Sequence, residues 1–488
     1  MNLSVDLNFV LPLIILASAG LAAMLVTGFY RNHMLTASIS FLGLLAALAS
    51  LYVVSMGAER ADSLFITDDY SLFFQGMFFV SSMAIILISY PYLNRQTEQS
   101  EEFYILLITA TMGSAVLVIS RHFISFFMGL EILSVSLYSM IAYLPDRRKS
   151  VEAGIKYLVL AAASSAFLLF GMALVYAGSG TMDFYGIGES IAAGRILSPL
   201  MFTGLAMMLV AVGFKLALVP FHLWTPDVYE GAPAPVTSFV ATVSKASMFA
   251  LWFRFIIITD LFRFRSFVVL FTVLAIATMF TGNFLALMQN NLKRLLAYSS
   301  IAHMGYMMIA FVAGGRAGAE AAAFYLAAYV ITTLGTFGII TVLSDKDHDA
   351  DDLEYYRGLL WKKPLLATAF TTMLLSLAGI PLTAGFIGKF YLAAAGVNSA
   401  LWLLVIMLVI NSAISIYYYL KIVVTMYSSE TEEKGGIVYP ALSVGSSAVL
   451  TILTFALIWL GVSPEGMVSL VRYAVTGMST ARQLITGF

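Results

Sequence analysis

The chain has 488 residues, of which 60% are hydrophobic and 11% charged, whereas soluble domains carry about 25% charged residues. That balance excludes a soluble globular protein and calls for a polytopic membrane protein. A net charge of -1 gives no basic footprint for nucleic acid, and the lack of any Cys rules out disulfides, zinc–thiolate sites and cysteine-ligated iron–sulfur clusters within this chain.

The N-terminus, MNLSVDLNF, has no Lys or Arg, so the first apolar run reads as a retained helix and not as a cleavable signal peptide. A spanning helix needs about 20 apolar residues. Windows of that kind fall at 8–29, 34–56, 70–92, 103–120, 122–143, 153–178, 199–222, 235–258, 266–288, 292–313, 320–344, 364–396, 400–427 and 441–462, which makes 14 spans. The twelfth is too long for one straight helix. GIPLTAGFIGK (Gly379 to Lys389) interrupts it, so two half-helices are expected. The seventh stops at Pro220 and runs into a polar, Pro-rich bridge with His222, Asp227 and Glu230. Proline breaks the helical hydrogen-bond ladder, and in lipid the freed groups must be buried in protein or line a wet cavity.

Lys and Arg in the connecting segments favour one side modestly. Arg31, Arg95, Arg147, Arg148, Lys149, Lys293, Arg294, Lys346, Arg357, Lys362, Lys363 and Lys434 stand there, against Arg60, Arg121, Arg195, Arg263, Arg265, Arg316, Arg472 and Arg482 on the other. The positive-inside rule puts the first set in the cytoplasm and both termini outside. The acids of the loop from Asp345 to Pro364 read as a solvated face.

An internal repeat is visible. At an offset of 168, Tyr138–Leu158 matches Tyr306–Leu326 at nine of 21 positions, including Arg148/Arg316, Glu152/Glu320 and Tyr157/Tyr325. Further on, Leu216-Ala-x-Val-Pro220 matches Leu377-Ala-x-Ile-Pro381. Spans 4–8 and 9–13 therefore read as two five-helix copies, each with a break in its fourth helix. Five is odd, so the copies enter the membrane from opposite sides. Inverted repeats with paired broken helices mark a transport path near the midplane. The expected organisation is one all-α membrane domain: three N-terminal helices (1–92), a first repeat (103–258), a second, inverted repeat (266–427), and a last helix and tail (441–488).

Five ionisable residues sit well inside predicted spans: Glu131, Lys156, Lys215, Lys245 and Lys389. A lone central charge costs about 2.5–3.5 kcal/mol on insertion scales, so such groups call for a function. A proton relay is the reading that uses all of them. Each also has a structural alternative. Lys156 reaches the cytoplasmic end of its span and can snorkel. Lys389 can neutralise the half-helix ends at its break. Glu131 and Lys215 can form a static ion pair, and Lys245 can be structural. His222 and His303 can be hydrogen-bonded core residues. Asp227 and Glu230 read best as caps of the half-helix after the first break. The many Phe, Met and Tyr read as packing or lipid-facing residues.

Three stretches, GFKLALVPFHLWTPDVYEGAPAPV, NNLKRLLAYSSIAHMGY and SLAGIPLTAGFIGKFY, closely resemble the subunit N family of bacterial respiratory complex I, the proton-pumping NADH:quinone oxidoreductase. Subunits L and M and the large subunits of cation/proton antiporters are wider relatives. The resemblance implies that Glu131 tunes a pumping lysine, Lys215. It implies that Lys245 is the central connecting site and Lys389 the terminal one. It extends the input side to Lys156 and gives gating or water-bridging roles to His222 and His303. It further implies a translocase of the inner membrane with no cofactor in this chain. FMN, iron–sulfur clusters and quinone then belong to partner subunits, and the membrane neighbours are an M-like antiporter subunit and small K-, J- and A-like subunits. A metal-cation/proton antiporter and an inert membrane scaffold are the competing readings.

Overall fold

Long apolar windows become helices because in hydrocarbon every backbone N–H and C=O needs a partner within its own segment. The structure, a computed structural model, describes residues 7–57, 60–97, 99–194, 198–346, 348–429 and 439–486. Arg195 and Lys434, counted above among the loop cations, lie outside them. In chain order the helices are α1 (Leu11–Phe29), α2 (His33–Ser55), α3 (Asp69–Gln96), α4 (Glu101–Ile119), α5 (Phe123–Ile141), α6 (Arg148–Ser179), α7 (Phe184–Ala192), α8 (Pro199–Leu216), α9 (Trp224–Gly231), α10 (Ala234–Phe239) and α11 (Lys245–Thr259). There follow α12 (Arg265–Leu287), α13 (Leu292–Ala313), α14 (Gly315–Leu343), α15 (Leu359–Lys362), α16 (Pro364–Ala378), α17 (Ala384–Asn398), α18 (Trp402–Tyr427), α19 (Val444–Val462) and α20 (Glu465–Thr486). A small antiparallel hairpin, β1 (Arg60–Ala61) and β2 (Ile66–Thr67), connects α2 to α3.

Among the described residues, 13 helices are long and apolar enough to cross a membrane, α10 and α11 counting as one. The twelfth window supplies the shorter pair α16 and α17, so all 14 windows carry helix. Local chemistry sets their ends. Asp68 forms a capping box with Ser71 at the start of α3, and Asn32, Asp183, Ser198, Asn291 and Ser443 accept backbone N–H bonds at their helix starts. Gly180 ends α6 in the left-handed region. Three helices had no forecast. α7 lies in the connection after span 6, the short α15 lies in the loop before Pro364, and α20 lies in the tail, with an apolar face that packs on α3 and α14.

Helices α10–α11, α13 and α14 are almost wholly buried, whereas in α1, α2, α6, α12, α18 and α19 a third or fewer of the residues are buried. Close crossings use small residues, as in membrane bundles generally. A Cβ on Gly171 of α6 would stand 2.7 Å from the Gly204 carbonyl of α8, and one on Gly204 would stand 2.7 Å from the Gly171 carbonyl. The repeats run in opposite senses. Arg147, just before α6, pairs at 2.8 Å with Asp349, just after α14. Since α6 and α14 are the matched helices of the two copies, the start of one shares a membrane face with the end of the other.

Candidate functional site

Both predicted breaks are present, and side chains take up the carbonyls they free. α8 ends at Ala217 with φ 59°, and the chain turns through Pro220 before α9. The Trp224 indole N–H donates to the Phe214 carbonyl at 2.7 Å, and the Val219 N–H donates to Thr278 Oγ1 at 3.0 Å. α16 ends at Gly379 with φ 83°, and Leu382 has φ 71°. There the Lys389 ammonium donates to the Ala378 carbonyl at 2.9 Å, and the Gly385 N–H donates to Ser376 Oγ at 3.1 Å. The lysines are not equivalent by position. Lys215 precedes its break and Lys389 follows its own.

Lys215 is 5% exposed. Its Nζ donates to Ser134 Oγ at 2.7 Å and to Tyr157 Oη at 3.2 Å. Ser134 lies three residues after Glu131 on α5, so the two share a face. Glu131 Oε1 accepts from Ser165 Oγ at 2.6 Å. Glu131 lies within electrostatic range of Lys215, but among the described residues the two form no direct ion pair. A static contact pair is therefore not the arrangement, and a serine on each side holds the charges apart.

The helix carrying Lys245 widens into a π turn at Val240–Ser244, immediately before the lysine. Such turns recur at functional sites. Lys245 Nζ donates to Ser300 Oγ on α13 at 2.7 Å and sits 5.3 Å from the centroid of the Tyr229 ring. Ser300 Oγ also meets Tyr329 Oη at 2.7 Å and Tyr229 Oη at 3.3 Å. One turn further along α13, His303 has Nδ1 at 2.6 Å from Tyr325 Oη and Nε2 at 3.3 Å from Tyr419 Oη. His303 lies within electrostatic range of both Lys389 and Lys245. Lys389 Nζ lies 5.1 Å from the centroid of the Tyr306 ring. Asn283 Nδ2 donates to Tyr306 Oη at 2.9 Å and to Asn411 Oδ1 at 3.0 Å.

The result is a row in chain order: Glu131, half-buried, then Lys215, Lys245, His303 and Lys389, all buried, each beside a hydroxyl or a carbonyl. Tyr157, Tyr229, Tyr325, Tyr329 and Tyr419 are hydrogen-bonded members of it, which corrects their reading as packing residues. Sequence periodicity could not separate them from lipid-facing tyrosines. The pairing of Tyr157 with Tyr325 in the repeat was the available signal, and both ended against a titratable site.

Lys156 and His222 stand apart from the row. Lys156 pairs at 2.8 Å with both Glu152 and Asp227, and its side chain is 43% exposed. Arg294 pairs at 2.9 Å with Asp227 and with Glu230, and Lys149 pairs at 2.8 Å with Glu230. These six side chains line an open cavity of about 160 Å³. Asp227 and Glu230 are thus ion-pair partners and not caps, and Leu223, at the start of α9, makes no side-chain capping bond. His222 is buried just after the first break, and its Nδ1 has no hydrogen-bond partner among the described residues.

Two buried charge clusters had no forecast. Arg254, inside the eighth window, makes two 2.7 Å bonds to the two oxygens of Asp68. Asp349, placed above in a solvated loop, is buried. It accepts from Lys293 and the Ala234 N–H on one oxygen and from Arg147 and Tyr92 on the other. Burial pushes the Asp349 carboxyl up, but Lys293 and Arg147 outweigh it and hold the group below the ordinary carboxylate value. Among the described residues no cluster of His, Asp and Glu is arranged to hold a metal ion.

A family model described as "NADH:quinone oxidoreductase/Mrp antiporter, TM" matches residues 120–415. A chain of respiratory complex I from Thermus thermophilus, solved with bound aureothin, is similar at 32% identity. That match covers 94% of this chain and 99% of the other, with a TM-score of 0.81. A chain of the membrane-bound sulfane sulfur reductase, an archaeal respiratory membrane complex, shares the fold at 23% identity, with 96% and 97% coverage and a TM-score of 0.83. A chain of the Mrp complex from a Dietzia species shares it at 20% identity, with the same coverages and a TM-score of 0.83.

Proposed function

Because this chain belongs to the membrane-subunit family of NADH:quinone oxidoreductases and Mrp antiporters, we propose that it is the N-type antiporter-like subunit of a bacterial respiratory complex I. In this reading it is part of a proton-translocating NADH:quinone oxidoreductase. It moves protons while electrons pass through other subunits. FMN, iron–sulfur clusters and quinone belong to those partners, and the chain's own contribution is the row from Glu131 to Lys389. It sits in the bacterial inner membrane with both termini on the periplasmic side. Its neighbours there are an M-like antiporter subunit and small K-, J- and A-like subunits.

One observation carries the proposal: three buried lysines are each bonded only to neutral groups, and two of them, Lys215 and Lys389, flank the two helix breaks. A buried ammonium held only by hydroxyls or a carbonyl has no fixed counter-charge. Its protonation then responds to charges that move nearby. Glu131 is such a charge for Lys215. When it draws close, the protonated lysine is favoured; when it turns away toward another partner, the lysine releases its proton along the row. His303 passes protons between its two ring nitrogens, and its two tyrosine partners hold it within range of Lys245 and Lys389. The ion-lined cavity around Lys156 is the cytoplasmic mouth of this path.

The test uses membrane vesicles from a strain carrying Lys215→Ala, with quinone reduction by NADH and lumen acidification followed together. Both are expected to fall at least tenfold while the assembled complex persists. Unchanged rates of both would overturn the assignment of Lys215. A transport rate that depends on sodium would favour metal-cation/proton antiport instead.

A further inference from the structure

Beside the end of the row, α12, α13 and α18 enclose a polar cluster to which the relay gives no part. Small residues bring two of these helices together. A Cβ on Gly282 of α12 would stand 2.5 Å from the Ala302 N of α13, and one on Gly305 of α13 would stand 2.8 Å from the Met279 N of α12. The backbones are almost in contact at this level. The residue after each glycine, Asn283 and Tyr306, is wholly buried, as is Asn411 of α18.

Carbonyls fix the orientation of both amides, because a carbonyl can only accept. Asn283 Nδ2 donates to the Met279 carbonyl at 2.9 Å, and Asn411 Nδ2 donates to the Met407 carbonyl at 2.9 Å. Asn411 Oδ1 therefore faces Asn283. The Asn283 Nδ2 then has three acceptors: the Met279 carbonyl, Tyr306 Oη at 2.9 Å and Asn411 Oδ1 at 3.0 Å. An amide nitrogen carries only two protons, so Asn411 competes with Tyr306 for them. Asn283 Oδ1 accepts from Tyr418 Oη at 3.0 Å, and Ser412 and Ser415 of α18 stand beside the Tyr306 hydroxyl. The ring of Tyr306 meets the last two members of the row. Its centroid lies 5.1 Å from Lys389 Nζ and 5.4 Å from the centroid of the His303 ring, with the two rings at 75°. An aromatic ring at that range attracts a cation. Among the described residues the Lys389 ammonium makes no hydrogen bond to a side chain, only to the Ala378 carbonyl.

We propose that Asn283 is a positioning residue for the terminal site: its amide holds the Tyr306 ring against Lys389 and His303, and Asn411 is the competitor that loosens that hold. The inference rests on the reading of Lys389 as a proton carrier and names what sets its surroundings. Asn283 touches neither Lys389 nor His303 and acts through Tyr306.

The experiment measures NADH-driven lumen acidification per assembled complex, across a range of pH, in membrane vesicles that carry the whole complex. Asn283→Leu removes the donor to Tyr306 and should slow transport about fivefold while the complex still assembles. Asn411→Leu puts the same apolar group into the same cluster but frees a proton for Tyr306, so its rate should stay within about twofold of wild type. A role confined to packing the cluster predicts equal losses, and equal losses overturn the proposal. The pH of half-maximal transport should move in Asn283→Leu and stay in place in Asn411→Leu; a midpoint unmoved in Asn283→Leu overturns it as well. In a Tyr306→Phe background, Asn283→Leu should add less than about a twofold loss, because the hydroxyl it acts through is gone. A full further loss there counts against the proposal. If Asn283→Leu does not assemble, Tyr306→Phe alone decides, since it keeps the ring and removes the bond: a slowed rate supports the proposal and a wild-type rate overturns it. Lys389→Ala separates the two readings. If it transports at the wild-type rate, the carrier role of Lys389 fails and this proposal with it. If it loses transport while Asn283→Leu keeps it, only the positioning role fails.

Discussion

Ser134 shows how much a single hydroxyl decides. It gives Lys215 its shortest bond and stands on the same face of α5 as Glu131. Hydrogen bonds to charged groups contribute about 1.5–3 kcal/mol, and about 1.4 kcal/mol is a factor of ten. Ser134→Ala should therefore slow proton transport about tenfold while leaving assembly intact, as measured by acidification in vesicles against the amount of complex on a native gel. Asp349 works on stability. Asp349→Asn leaves Lys293, which is 1% exposed, without its counter-charge, and breaking a buried pair in this way costs about 3–5 kcal/mol. Loss of assembled complex or a marked fall in melting temperature is the expected readout. The same group sets an acid limit. Its carboxyl is lowered in the fold. Its stabilisation is thus fully present above the unfolded value of about 3.9 and is lost as pH falls through the lower folded value. Thermal melts from pH 7 to pH 3 should show a late acid loss in wild type that is absent in Asp349→Asn.

At the scale of elements, the two broken helices solve one problem with different residues. A helix interrupted in hydrocarbon leaves carbonyls that need donors. The first break uses the indole of Trp224 and the second uses the ammonium of Lys389. Trp224→Phe keeps an aromatic ring but removes the donor. It should lower stability by about 1 kcal/mol and leave Lys215 chemistry unchanged, so melting temperature shifts while the transport rate per folded complex does not. Lys389 couples the two roles, since the bond that seals its break is made by the group proposed as the terminal site. The structural alternative for Lys389 and its relay role are thus both consistent with one geometry. The break positions were legible because Pro220 and Pro381 sit in matched motifs. The donors were not, because a side chain that reaches back across a break has no fixed sequence spacing.

Across the whole molecule, the central helices α10–α11, α13 and α14 carry the middle of the row, and the exposed helices wrap them. His303, within electrostatic range of both Lys245 and Lys389, is the residue that tests the relay there. His303→Ala should cut transport at least tenfold without loss of assembly, whereas His303→Gln, which keeps hydrogen bonds to the tyrosines but cannot take a second proton, separates positioning from proton transfer. If Gln restores transport to wild-type rates, His303 positions its neighbours and does not relay. Composition, apolar windows and the repeat by themselves determined the membrane class, the 14 spans, the two breaks and the inverted copies, because hydrocarbon admits few solutions for a backbone. They also singled out Glu131, Lys215, Lys245 and Lys389, because a charge inside an apolar window stands out. Only the tertiary structure decided which hydroxyls join those charges and that Glu131 and Lys215 do not touch. It also decided that Asp349 is buried between Lys293 and Arg147, that Arg254 holds Asp68, and that Asn283 reaches both Tyr306 and Asn411. Each of these depends on contacts between segments far apart in the chain, and no local pattern encodes which side chains meet across a bundle.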